Sequence, residues 1–186
     1  MMCRRVCQIA ASVTLRRLRG RGTQQWGLFD PNIDATDRAR LRQAAAMAGA
    51  LEIGELHVTY QPVVTLDTQQ LVGIEAALSW QHPQFGVLSH EQCMQAAERT
   101  GVVHEVGQWL LCEAAGQAVS WRQRFGRSVA PVVVNLTPSQ VQASDLVARV
   151  KAVLDQTGLT PAELELRAPV AAIRSAPPAS TWSPSP

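Results

Sequence analysis

The order of apolar and polar positions predicts a helix first and then two strands. Residues 34–54 are rich in alanine and other strong helix formers, and Gly54 is a suitable stop signal. From Glu55 to Leu66 the pattern alternates and is rich in β-branched residues, which predicts a strand. The segment DTQQ then predicts a turn, and residues 71–80 predict a second strand.

Helices and strands alternate in the next part of the chain. Ser89 and Gln92 have the spacing of a capping box, and Thr137, Pro138 and Gln140 repeat that signal. The predicted helices run from Ser89 to about Gly101, from about Val103 to before Gly126, and from Thr137 to Gly158. The short runs APVVVNL and AELEL predict strands between and after them. This alternation is typical of an α/β protein with a parallel sheet or a barrel.

Both ends of the chain differ from this regular region. Residues 1–30 hold six arginines against the single acid Asp30, which suggests either a solvated helix or a contact with an anionic surface. We favour the solvated helix over nucleic-acid binding. Residues 167–186 hold five of the eleven prolines and have no helical or strand period, so we expect a disordered tail.

Composition and charge indicate a globular protein without a membrane segment. Apolar residues make up 46% of the 186 residues, charged residues make up 17%, and the net charge is +2. No apolar run approaches the roughly 20 residues that span a bilayer, and the N-terminus lacks a signal-peptide cleavage pattern. These features predict a cytoplasmic protein. The four cysteines and four histidines show no metal-ligand spacing.

One predicted strand carries an acid in its middle. The two-residue period places Glu75, Ala77 and Ser79 on one face and larger apolar residues on the other. Asn135 stands at the carboxyl end of another predicted strand, where barrel active sites gather. A carboxylate and an amide that converge there could bind a divalent cation such as Mg²⁺. Alternatively, Glu75 pairs with an arginine elsewhere in the chain.

Five sequence blocks resemble a known family. The segments YQPVV, GIEAALSWQHPQFGVLS, AAERTG, VVVNLTPSQ and TGLTPAELEL resemble, in order and spacing, the first half of EAL domains. These are bacterial phosphodiesterases that hydrolyse cyclic di-GMP to linear pGpG. The resemblance implies the first half of a modified TIM barrel with one antiparallel strand. Residues 1–30 resemble the C-terminus of a GGDEF (diguanylate cyclase) domain, which implies a remnant of that domain, a linker helix at 31–51, a partial EAL domain at 52–166 and a tail at 167–186.

The resemblance assigns site roles to three residues. It implies that Glu75, in the E-A-A version of the E-A-L motif, and Asn135, in VNLT, are ligands of Mg²⁺ or Mn²⁺. It also implies that Gln61, in YQP, lies near the bound dinucleotide.

Three other positions depart from the family pattern. Ser79 stands where a phosphate-binding arginine is usual, Arg167 where a metal-binding glutamate is usual, and Val170 where a second glutamate is usual. The family pattern continues with catalytic Asp, Lys, Glu and Gln residues, and residues 168–186 contain none of these residue types. We therefore expect a degenerate site that binds metal weakly or not at all.

The function expected from these residues is a truncated, catalytically inactive EAL domain of cyclic di-GMP signalling, with a tail that a shift of reading frame would explain. Two alternatives remain open: a module that binds cyclic di-GMP or a protein without hydrolysing the nucleotide, and an incomplete part of an active phosphodiesterase. Because a half barrel leaves sheet edges uncovered, we also expect a protein partner or a homodimer through the exposed sheet. We expect no nucleic-acid or membrane partner.

Overall fold

The structure, a computed structural model, describes residues 31–126 and 130–175. The chain divides into two units, Met1–Gln43 and Ala44–Pro186, and of the first unit only residues 31–43 are described. The helices are α1 (Pro31–Glu52), α2 (His90–Thr100), α3 (Val103–Phe125), α4 (Pro138–Val141), α5 (Leu146–Thr157) and α6 (Val170–Ser175), with a 3₁₀ turn at Pro161–Glu163. The strands are β1 (Leu56–Val64), β2 (Leu71–His82), β3 (Gly86–Leu88), β4 (Val132–Asn135) and β5 (Leu164–Arg167).

The strands form one mixed, open sheet in the order β1-β2-β4-β5, and the short β3 also pairs with β2. β1 runs antiparallel to β2, whereas β4 is parallel to β2 and β5 is parallel to β4. The described part of the chain is therefore an α/β unit with one antiparallel strand at the start, as expected for the first part of such a barrel.

The apolar face of β2 packs against the helices. Ala76, Leu78 and Trp80 are at most 1% exposed, which confirms the predicted division of the strand into two faces. Leu78 and Trp80 belong to a core with residues of α1, α2 and the start of α3, while Ala76 belongs to a second core with residues of α3, β4 and α5. Both cores lie on the side of the sheet that Ala76, Leu78 and Trp80 face, and Glu75 and Ser79 lie on the opposite side.

The predicted caps are present. Ser89 and Gln92 form a complete capping box at the start of α2, and Gly101 ends that helix in the left-handed conformation with φ of 79°. Thr137 and Gln140 form the second capping box directly after β4. This cap determines how the chain leaves β4, and so it also holds the end of the strand at Asn135.

The structure differs from the sequence expectations in three segments. The residues between the predicted strand at 71–80 and the predicted helix from Ser89 contain β3, which begins at the left-handed Gly86 and pairs with the end of β2. The helix predicted from Thr137 to Gly158 is two helices, α4 and α5. In the expected tail, Arg167 ends β5 and α6 follows, because Ala172 is buried and supports a short helix. Residues 176–186 lie outside the described residues.

Gln140 joins α4 to α3 through a buried amide. Its Oε1 accepts from the Thr137 N–H at 2.8 Å, and its Nε2 donates to the Val103 carbonyl at 3.4 Å. Gly107 lies against this amide, so that a Cβ at that position would overlap the Gln140 nitrogen. The glycine therefore allows the close approach of the two helices.

Replacing Gly107 with alanine should destabilise the fold. The added methyl group must displace a buried, hydrogen-bonded amide, and we expect a loss of about 1–3 kcal/mol in the free energy of unfolding. Gly116→Ala is the matched control because it lies on the same helix with open space around it, and it should gain up to about 1 kcal/mol. Urea unfolding measures both, and equal effects of the two substitutions would refute this role of Gly107.

Candidate functional site

The polar face of the sheet brings Glu75 and Asn135 into direct contact. Glu75 on β2 pairs with Val133 on β4, and Asn135 lies two residues further along β4 on the same face. The Asn135 Nδ2 donates a hydrogen bond to Glu75 Oε1 at 2.9 Å. Glu75, predicted in the middle of one strand, and Asn135, predicted at the end of another, therefore meet, although sixty positions separate them in the chain.

Arg167 contributes a positive charge to the same group. It ends β5 and pairs with Asn135 in the sheet register. Its Nη1 lies 3.9 Å from Glu75 Oε2, and its Nε lies 2.7 Å from Glu165 Oε1. These side chains are 32–44% exposed, so each ion pair adds only a modest stabilisation in water. The sequence analysis gave, as the alternative to metal binding, a pairing of Glu75 with an arginine elsewhere in the chain, and Arg167 is such an arginine.

Of the other predicted positions, Gln61 and Ser79 lie on the same face of the sheet as Glu75, and Val170 lies outside the sheet. Gln61 on β1 is directly opposite Glu75 in the register and is exposed on the same face. Ser79 lies on that face too, opposite His57. Val170 is the first residue of α6 and is 73% exposed, so it belongs to the helix after the sheet.

Sequence reasoning missed two residues of this region. Glu165 is the second carboxylate beside Arg167, and its signal was its position two residues before Arg167 on a predicted strand. His90 begins α2, and its Nδ1 accepts a hydrogen bond from the Leu78 N–H at 3.1 Å. Burial lowers the pKa of the His90 imidazole, and the negative charge of Glu75 offsets part of that shift. Both the burial and the hydrogen bond that Nδ1 accepts from the Leu78 N–H favour the neutral imidazole with its proton on Nε2.

The residues present do not fit a tightly held divalent cation. Among residues 31–126 and 130–175, no group of three or more His, Cys, Asp or Glu side chains is arranged to hold a metal ion. One oxygen of Glu75 accepts from Asn135 and the other faces the Arg167 guanidinium. Mg²⁺ gives up its water reluctantly and requires several oxygen ligands, and the nearby guanidinium repels it.

Comparison with known proteins identifies the family. The family model described as EAL domain matches residues 39–180, which is most of the chain. The chain belongs to the EAL domain family. The match begins before and ends after the partial EAL domain predicted at 52–166. Residues 1–30 lie outside both this EAL match and the described residues, so the GGDEF remnant stays a prediction.

Several relatives resemble this EAL chain over most of its length. Uncharacterized protein y4lL of Sinorhizobium fredii is 35% identical over 156 residues, which are 84% of this chain and 18% of that protein. The bifunctional diguanylate cyclase/cyclic di-GMP phosphodiesterase MucR of Pseudomonas aeruginosa is 30% identical over 158 residues, which are 85% of this chain and 23% of MucR. The EAL chain thus spans about a fifth of the length of these relatives.

Solved structures agree with the fold of the EAL chain. The PaMucR phosphodiesterase in complex with c-di-GMP is 34% identical with a TM-score of 0.63, and the match covers 68% of this chain and 51% of that one. The EAL enzyme Bd1971 in its cGMP-bound form has a TM-score of 0.65 at 20% identity, with 93% of this chain and 45% of that one covered. The second likeness supports the fold alone. The EAL chain thus spans about half the length of these solved chains.

The helices give no sign of a membrane segment. Within the described residues, none is long and apolar enough to cross a bilayer.

Replacing Arg167 with glutamate should improve divalent cation binding. The substitution removes the guanidinium that faces Glu75 and adds a third carboxylate to the group. We expect the affinity for Mn²⁺ to rise by roughly ten-fold or more, in line with the effect of ligand charge on such sites. Isothermal titration calorimetry with Mn²⁺ measures the change.

Arg174→Glu is the control for this experiment. It changes the net charge by the same amount at an exposed position on α6, and it should leave Mn²⁺ affinity unchanged. An equal gain in both variants would mean that net charge, and not the geometry at Glu75, controls cation binding.

Protonation of His90 should weaken the fold at acid pH. Because its pKa is lower in the folded than in the unfolded protein, the unfolded chain takes up the proton first as pH falls below about 6.5. His90→Asn can keep an acceptor for the Leu78 N–H and does not titrate. The stability of the wild type relative to this variant should therefore fall between about pH 7.5 and pH 5.5. Urea unfolding at the two pH values tests this, and a constant difference would contradict it.

Proposed function

We propose that this EAL domain acts in cyclic di-GMP signalling as a binding module that does not hydrolyse the nucleotide. The observation that carries the proposal is the position of Arg167, whose guanidinium faces Glu75 and contacts Glu165. A positive charge that belongs to the chain itself thus lies beside the carboxylate that the family resemblance assigns to a metal.

The described residues offer no suitable cation site, which argues against hydrolysis. Metal ions in such enzymes lower the pKa of a bound water and neutralise charge on the phosphate. Among the described residues, Glu75 is engaged by Asn135 and Arg167, and the second carboxylate of the group, Glu165, is engaged by Arg167. Losses of individual catalytic groups typically reduce rates by about 10²–10⁴-fold each, so that several losses together leave little activity.

The exposed polar face supports nucleotide binding. Gln61 is accessible directly opposite Glu75, and Ser79 lies on the same face of β2. Side-chain amides and hydroxyls of this kind can bind the edges of bases and phosphate oxygens. The similar PaMucR phosphodiesterase structure contains c-di-GMP, which supports the same ligand for this domain. Ser79 cannot make the bidentate, charge-assisted phosphate contact of an arginine, and we therefore expect weak binding.

Two measurements on the purified 186-residue protein test this function. Chromatography of cyclic di-GMP incubated with the protein and either Mg²⁺ or Mn²⁺ should show no linear product above a protein-free blank. MucR serves as the positive control for the assay. Calorimetry should show saturable binding of cyclic di-GMP. Metal-dependent product would overturn the proposed lack of catalysis, and absence of binding at millimolar nucleotide would overturn the binding function.

A pair of glutamine variants locates the nucleotide. Gln61→Ala should weaken cyclic di-GMP binding about five-fold, because one hydrogen bond contributes about 1 kcal/mol. Gln70→Ala, in the exposed turn between β1 and β2, should leave the affinity unchanged. Equal effects of the two variants would exclude binding on the face that carries Glu75.

A further inference from the structure

His90 fills a gap along the hydrogen-bonded edge of β2 that faces β4. On this edge the Ile74 N–H donates to the Pro131 carbonyl at 2.9 Å, beside β4, whereas β3 pairs with β2 only from Trp80 onward. Leu78 lies between these two partners, and its N–H donates to the His90 Nδ1 at 3.1 Å. The first residue of α2 thus completes a stretch of the edge that neither strand covers.

This gap lies next to the end of β4 that carries Asn135. Ala76 on β2 pairs with Val134 in the parallel register, and β4 ends at the following residue, Asn135. The contact of His90 with β2 therefore lies just beyond the last position that β4 covers. The negative charge of Glu75 also acts on the His90 imidazole. His90 is thus within electrostatic reach of the polar group on the sheet.

The hydrogen bond to Leu78 makes the other ring nitrogen of His90 a donor. A neutral imidazole has a single N–H, and because Nδ1 accepts from the backbone, the proton is on Nε2. The two nitrogens lie on different sides of the ring, so the Nε2–H points away from the backbone of β2. Among the residues that the structure describes, no acceptor is hydrogen-bonded to Nε2, and the side chain is partly exposed. His90 therefore holds an N–H donor in a fixed orientation near the end of β4.

We propose that the Nε2–H of His90 donates a hydrogen bond to a phosphate oxygen of the bound nucleotide. The inference rests on the proposed function and adds a recognition residue to it. Each phosphodiester group of cyclic di-GMP is an anion, and hydrogen bonds to anionic oxygens are stronger than those between neutral groups. The uncommitted donor of His90 is therefore better matched to a phosphate oxygen than to a neutral acceptor. It supplies part of the phosphate contact that Ser79 cannot make.

Two substitutions separate the nucleotide contact from the backbone contact. The amide of Asn reaches the place of Nδ1, and the longer amide of Gln reaches the place of Nε2. His90→Asn keeps an acceptor for Leu78 but loses the outer donor, so it should weaken cyclic di-GMP binding roughly ten-fold without lowering the urea midpoint of unfolding. His90→Gln should retain most of the affinity and lower the midpoint. His104→Asn, on α3, is the matched control and should leave the affinity unchanged.

A phosphorothioate analogue of cyclic di-GMP tests which atom accepts the hydrogen bond. Sulfur accepts hydrogen bonds more weakly than oxygen, so replacing the non-bridging phosphate oxygens with sulfur should weaken binding to the wild type more than binding to His90→Asn. Calorimetry measures the affinities of both proteins for both nucleotides. Equal losses in the two proteins, or a His90→Asn variant that binds cyclic di-GMP as tightly as the wild type, would overturn this inference alone. A wild type that binds no cyclic di-GMP would overturn the proposed function as well.

Discussion

The alternation of side chains along β2 is the constraint on which the rest of the structure depends. Large apolar residues on one face, among them Leu78 and Trp80, are removed from water only when helices cover that side. The other face then carries Glu75 and Ser79. A shift of one residue in the register of β2 would exchange the two faces, and both the core and the polar group would be lost.

The polar group is organised by a positive charge that the chain itself supplies. Arg167 stands at a strand end where relatives in this family are expected to use an acid, and it links Glu75 to Glu165. Each ion pair is partly exposed and contributes little to stability by itself. Its consequence is chemical, because a guanidinium beside Glu75 opposes a divalent cation at that place.

Local signals predicted most of the fold, whereas long-range geometry had to come from the structure. The capping box at Ser89 is a short-range pattern, and it was recognised because all its partners lie within four residues. The strand β3 was missed because its three residues, Gly86–Leu88, are too few to show a period. The family resemblance placed Arg167 at a ligand position, but its contact with Glu75 depends on the pairing of β5 with β4 and of β4 with β2. His90 is one of four scattered histidines, and no local pattern marks it.

A crystal structure from crystals grown with Mn²⁺, with anomalous data collected for the metal, tests the central claim most directly. If the Arg167 guanidinium takes the place of a metal ion beside Glu75, the map will show no metal peak within bonding distance of Glu75. That distance is roughly 2.0–2.2 Å for a carboxylate ligand. The guanidinium will then remain between Glu75 and Glu165. A metal peak bridging Glu75 and Asn135, with Arg167 turned away, would contradict the account.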